Sequence, residues 1–244
     1  MMAAAPCIGL VVPPAHGKVP SDAVRLYGDR FRFIARGLGI GAVSPEGFAP
    51  VIDQVVDRAR ELRDAGAQAI SMMGTSISFY RGAEFTESLR ASMQHATGVP
   101  CTTMSHAVLA SLRALGVRRV AVATSYIDAL NDKLAAYLGA GGFEVTAIEG
   151  LSIPEVGGAG KVETETLVAL AKRVHAQDPA ADGIFLSCGG LLTLPAIHRL
   201  EEELGVPVTA SSPAGFWDVV RGGGWDARSD VGGRLFSRVQ APSS

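Results

Sequence analysis

Cysteine is scarce, with three residues in 244, Cys7, Cys101 and Cys188, lying far apart. So small, odd and scattered a set builds no disulfide framework; each thiol either packs or reacts. There is no Cys-x-x-Cys, and His16, His95, His106, His175 and His198 fall at no ligand spacing, so no metal is expected. Charge of either sign is also thin: charged residues make up 19% of the chain and the net charge is -2. Such a surface gathers neither nucleic acid nor anionic lipid, which leaves small neutral or anionic molecules as ligands. Long apolar runs are missing. Met1 to Ala5 carries no positive charge and Ile8 to Val12 is too short for a membrane span or the core of a signal peptide, so the expected location is the cytoplasm. No phosphate loop with Lys followed by Ser or Thr occurs. The run Gly37-Leu38-Gly39-Ile40-Gly41-Ala42 lacks the last glycine of the dinucleotide fingerprint and is preceded by no clear strand. No cofactor is expected.

Apolar residues, at 48%, are ample for buried cores. Strand-length apolar runs alternate with segments of helical period. The first run is Ile8 to Val12; a helix is expected from about Pro45 to Ala65, with Ser44 as N-cap, a stripe of Phe48, Ile52, Val55, Val56, Ala59 and Leu62, and Gly66 closing it. Strands are expected near Ala69 to Met73, Val99 to Thr102, Arg119 to Ala123, Glu144 to Ala147, Gly183 to Ser187 and Val206 to Thr209. Helices are expected near Thr86 to Ala96, His106 to Leu115, Ile127 to Leu138, Glu163 to Ala176 and Leu194 to Leu204. The alternation predicts an α/β fold with parallel sheets flanked by helices.

The chain echoes itself at about 110 residues, a separation read off matched segments. Ala69-Ile70-Ser71-Met72-Met73 running into Gly74-Thr75-Ser76 parallels Gly183-Ile184-Phe185-Leu186-Ser187 running into Cys188-Gly189-Gly190, and Gly98-Val99-Pro100 parallels Gly205-Val206-Pro207. Two pseudo-symmetric lobes of about four strands each would set the two small-residue turns across a cleft, beyond the carboxyl ends of the strands where ligands sit. The expected division is 1–115 with 213–244 as one lobe and 116–212 as the other. Cys188 comes at the end of an apolar strand and precedes Gly189 and Gly190, whose amides make an anion-binding concavity. A thiol there suits proton transfer, whereas Cys7 and Cys101, in or beside strands, read as packing. Gly74-Thr75-Ser76-Ile77-Ser78 offers hydroxyls and amides for an oxyanion, or an ordinary N-capped turn. Tyr126, just past a strand, either adds a phenolic donor or packs. Gly157 to Gly160 reads as a surface loop or a lid over the cleft.

Met72-Met73-Gly74-Thr75-Ser76, Ser78-Phe79-Tyr80-Arg81-Gly82, Leu186 to Leu194 and Ser211-Ser212-Pro213-Ala214-Gly215-Phe216-Trp217-Asp218 together resemble the arylmalonate decarboxylase family of the aspartate/glutamate racemase superfamily. Most members of that superfamily carry a cysteine at a strand end in each lobe; here Gly74 stands in the first place and Cys188 in the second. One thiol cannot serve both faces of a carbon, so the resemblance implies decarboxylation with protonation on one face by Cys188, giving the R α-arylpropionate without a cofactor. It further implies that Thr75, Ser76, Tyr126, Gly189 and the amide of Cys188 bind the retained carboxylate, with Gly190 beside them. Pro14, Ile40, Val43, Ile77 and Val156 would wall an apolar pocket near Gly74. Phe48 replaces a tyrosine of the family pattern and Ala159 a bulkier apolar residue, which leaves the size and polarity of that pocket open. The expected partner is a small aryl dicarboxylate, bound by a monomer. The alternatives are a racemase or cis-trans isomerase of a small acid, and a non-catalytic small-acid binding protein.

Overall fold

The computed structural model describes residues 4–237. Among these residues eight strands form two four-stranded sheets in which every neighbouring pair is parallel. The first holds β1 (Cys7–Val12), β2 (Arg32–Gly37), β3 (Ala69–Met72) and β4 (Cys101–Thr103) in the order β2-β1-β3-β4. The second holds β5 (Arg119–Thr124), β6 (Glu144–Gly150), β7 (Gly183–Ser187) and β8 (Val208–Ala210) in the order β6-β5-β7-β8. The second order is the first one transposed, strand for strand, so the internal echo is a repeat of topology as well as of sequence. Parallel sheets covered on both faces demand near-continuous apolar strands, and β1, β3 and β7 are buried along their whole length.

The helices are α1 (Asp22–Tyr27), α2 (Pro45–Phe48), α3 (Val55–Asp64), α4 (Thr75–Phe79), α5 (Ala83–Thr97), α6 (Met104–Leu115), α7 (Asp128–Ala140), α8 (Thr164–Gln177), α9 (Leu194–Leu204), α10 (Ser211–Gly222) and α11 (Arg234–Ser237). Two departures from the sequence reading have plain causes. The helix expected over Pro45 to Ala65 is broken: Ser44 caps α2 by accepting from Gly47 N–H at 3.3 Å, but Pro50 offers no donor, and the chain passes through a short 3₁₀ turn (Ile52–Gln54) before α3 begins. β2 has no counterpart among the expected strands. It is a half-buried edge strand that starts on an arginine and carries a second, so its apolar stretch is too short to stand out. Its presence also corrects the expectation that no strand precedes Gly37-Leu38-Gly39. Beyond β2 the chain loops as far as α2, without the helix N-terminus that a dinucleotide site needs there.

β3 runs into Gly74 and α4, and β7 runs into Cys188, so both turns emerge at carboxyl ends of strands next to the centre of their sheets. α10 comes after β8 of the second sheet yet packs on α6, β3 and β4 of the first, tying the halves together. Its Trp217 and Phe216 are fully buried, each worth about 1.5–3 kcal/mol or more of apolar transfer.

Candidate active site

A cavity of about 470 Å³ opens between the two turns. From the first sheet it is walled by Pro13 and Pro14 after β1, by Ile40, Val43 and Phe48 around α2, and by Met73, Gly74, Thr75, Ser76 and Ile77. From the second it takes Ser125, Val156, Ala159, Cys188, Gly189 and Gly190. Every residue expected in the site lines this space except Tyr126, which is buried behind the wall with its hydroxyl facing Ser187, Thr75, Ser76 and Cys188. Burial drives the Tyr126 phenol far above its ordinary value, helped by the neighbouring Cys188 sulfur, so it remains a proton-bearing donor.

Cys188 is half-buried and sits with φ of 154°, a conformation side-chain-bearing residues rarely adopt and one that tends to persist at functional positions. Its amide donates to Ser211 Oγ at 3.2 Å, so that N–H is held inside the turn and is not free for a ligand, contrary to expectation. Desolvation raises the Cys188 thiol above its ordinary value. The Ser125 hydroxyl, the amides of Gly190 and Leu191 and the Tyr126 hydroxyl oppose that rise by favouring the thiolate. Cys7 and Cys101 are free and buried within their strands.

Across the cavity, Gly74 is the N-cap of α4. A β-carbon there would meet Ile77 Cγ2 at 2.5 Å and Pro13 Cγ at 3.0 Å, so the place facing the sulfur is filled by an isoleucine methyl. Thr75 is turned away from the open space: its hydroxyl donates to Met104 Sδ at 2.9 Å. Ser78 is bonded to Thr75 C=O and to Ser105, so it braces α4 and does not face a ligand. Met104 opens α6, beneath the cap where Thr103 accepts from His106 N–H at 3.2 Å, and its sulfur would lie 3.1 Å from a β-carbon on Gly189. That methionine therefore spans both turns, a role nothing in its sequence context marks.

The apolar wall is Pro14, Ile40, Val43, Phe48, Ile77, Val156 and Ala159. Phe48 is wholly buried, stacked edge-on against Tyr80 at 5.3 Å between ring centres. Val43 N–H donates to Pro154 C=O at 2.9 Å, joining the loop before α2 to the loop carrying Val156. The segment Gly157 to Gly160 lies against the site: Ala159 would be 3.3 Å from a β-carbon on Gly190, and Ala159 itself is buried. His16, Lys18, Asp22 and Glu155 bring titratable side chains to the same wall. Among the described residues no group of three His, Cys, Asp or Glu side chains is placed to hold a metal ion, and no helix is long and apolar enough to cross a membrane.

A family model described as arylmalonate decarboxylase matches residues 8–236. An arylmalonate decarboxylase of Bordetella bronchiseptica is 57% identical over 96% of this chain and 98% of its own length. A crystal structure of a Gly74→Cys, Cys188→Ser variant of arylmalonate decarboxylase in liganded form, numbered as that protein is, superposes with a TM-score of 0.93 at 55% identity, covering 95% of this chain and 99% of that one. A maleate isomerase of Nocardia farcinica is 29% identical over 88% of each chain. A structure of maleate cis-trans isomerase from that organism shares the fold, with a TM-score of 0.87 over 96% of this chain and 99% of its own.

Proposed function

The chain belongs to the arylmalonate decarboxylase family and is a decarboxylase, and on that premise we propose that it converts α-aryl-α-substituted malonates to the R acid by way of an enediolate protonated from Cys188. One carboxylate of the substrate rests against the turns, held by Ser76, by the amides of Gly189 and Gly190, by the hydroxyl of Tyr126 behind them and by that of Thr75 once it turns from Met104 Sδ to the ligand. The other enters the apolar wall formed by Ile40, Val43, Phe48, Ile77, Val156 and Ala159. A charged carboxylate without hydration is disfavoured there, whereas carbon dioxide is not. The bond from the α-carbon to that carboxyl breaks and its electron pair passes into the retained carboxylate, whose growing charge the donors of the turns stabilise. Removing one such donor typically costs about 3 kcal/mol. The α-carbon then takes the proton of the Cys188 S–H, leaving a thiolate that recovers its proton from water. One proton is consumed per turnover, and no cofactor has to accept the electrons because the substrate carboxylate does.

The observation that carries this reading is the asymmetry across the cavity: sulfur on one side, and on the other Gly74 backed by the Ile77 methyl. Racemisation needs an acid or base at each face of the carbon, and at the position paired with Cys188 by the internal repeat the first lobe carries a glycine. The three free thiols suit a reducing cytoplasm.

Incubation with phenylmalonate and methylphenylmalonate tests the proposal. Carbon dioxide release with an excess of R product from the second substrate is expected, and Cys188→Ala is expected to abolish turnover with its circular dichroism unchanged. Release by the alanine variant at the wild-type rate excludes the thiol as donor. Exchange of the product α-hydrogen with deuterated water at the rate of turnover would favour an isomerase or racemase instead.

A further inference from the structure

Each turnover leaves a negative sulfur in a cavity that burial makes hostile to it, and the residue built to receive that charge lies one strand away. Thr124 pairs with Ser187 across β5 and β7, so the next residues, Ser125 and Cys188, leave two adjacent strands side by side, at the strand spacing of about 4.8 Å. Ser125 N–H donates to Ser187 C=O at 3.3 Å, and Ile153 N–H donates to Ser125 C=O at 2.8 Å, so the backbone on either side is fixed. The side chain is 1% exposed and its hydroxyl has no hydrogen-bond partner. A sealed hydroxyl without a partner is costly in a folded protein, and its cost is explained when a group that forms only during the reaction supplies the acceptor.

We propose that Ser125 is a positioning residue whose hydroxyl donates to the Cys188 sulfur once that sulfur has given up its proton. The inference rests on the decarboxylase reading for its catalytic consequence, but the contact itself does not require turnover. During protonation the S–H bond breaks as the C–H bond forms; Ser125 keeps its own proton and turns it toward the new thiolate, together with the amides of Gly190 and Leu191 and the hydroxyl of Tyr126. Water returns the missing proton to sulfur before the next substrate binds. The other titratable groups in the cavity wall are His16, Lys18 and Asp22 after β1, and Glu155 in the loop beyond β6. None of them is the group laid beside Cys188 by the strand register.

Iodoacetamide reacts with the thiolate and not with the thiol, so the pH dependence of alkylation, with the adduct located at Cys188 by mass spectrometry, reads the contact in the resting enzyme. In Ser125→Ala the alkylation midpoint is expected to move up by about one pH unit. In the same variant kcat for phenylmalonate falls about tenfold, the loss of one charge-assisted hydrogen bond, while KM holds. Ser125→Thr, which keeps the hydroxyl, returns both to wild type. An alanine curve superimposed on that of the wild type, a threonine curve displaced as far as the alanine one, or an unchanged kcat in Ser125→Ala overturns the proposal. If the chain released no carbon dioxide from any arylmalonate while the alkylation curves shifted as described, the decarboxylase reading would fail and the Ser125 contact would stand.

Discussion

At the scale of single residues, the site is defined by what faces the Cys188 sulfur. Introducing a second thiol by Gly74→Cys places a β-carbon against Ile77 Cγ2 and Pro13 Cγ, so the isoleucine must shift. Overpacking of this kind typically costs about 1–3 kcal/mol. Gly74→Cys is therefore expected to melt earlier than wild type and to erode the enantiomeric purity of its product, and adding Ile77→Val recovers part of the stability in thermal denaturation. Titration gives a second prediction. Burial raises the Cys188 thiol, and on the proposed mechanism the reactive form is the protonated one, so the donor is intact through neutral pH and is lost only as pH climbs through the raised value. The alkaline limb of kcat against pH is expected above the value of a free cysteine, about 8.5; a limb centred at or below that value contradicts it. Cys188 could be read from the sequence because an apolar strand ending in a thiol and two glycines is an unusual combination. Ser125 and Met104 could not, since a serine after a strand and a methionine at a helix start are ordinary until register and packing bring them to the sulfur and to Gly189.

At the scale of elements, α6 bears on the site through its first residue. Thr103 ends β4, is completely buried, and caps α6 with its side-chain oxygen, so one residue fixes both the strand end and the direction in which Met104 leaves it. Thr103→Val keeps the shape and removes the cap; it is expected to cost about 1 kcal/mol in urea denaturation. The same substitution is expected to lower kcat/KM by loosening Met104 against Thr75. The central strands were legible because burial on both faces leaves them apolar throughout. β2 was hidden because an edge strand needs only part of its length buried. The break between α2 and α3 was written in Pro50, but the apolar stripe on both sides of it reads as one continuous face, and periodicity alone does not show that the chain stops and restarts.

At the scale of the whole molecule, the two halves place one turn each around a shared space, and a ligand that fills it binds the folded chain and not the unfolded one. Phenylacetate, a product-like monocarboxylate, is expected to raise the melting temperature with the logarithm of its concentration above Kd, with a stabilisation of about 2.7 kcal/mol at a hundredfold excess over Kd. It is also expected to shield Cys188 from iodoacetamide, while Cys7 and Cys101, at 4% and 7% exposure, stay unmodified with or without it. Labelling of either strand cysteine in the native protein would show that the sheets open more readily than their packing implies. The repeat of strand order was visible as matched segments, but the facing of Gly74 and Cys188 needed the packing of α10 across both halves. Among the described residues the two sheets share no ladder hydrogen bond, so a widening of the mouth between them would unzip no strand. Widening of that gap would leave the rails on which the reacting groups are mounted unchanged, so on the proposed mechanism traffic of substrate in and carbon dioxide out need not disturb the alignment of thiol and carbon.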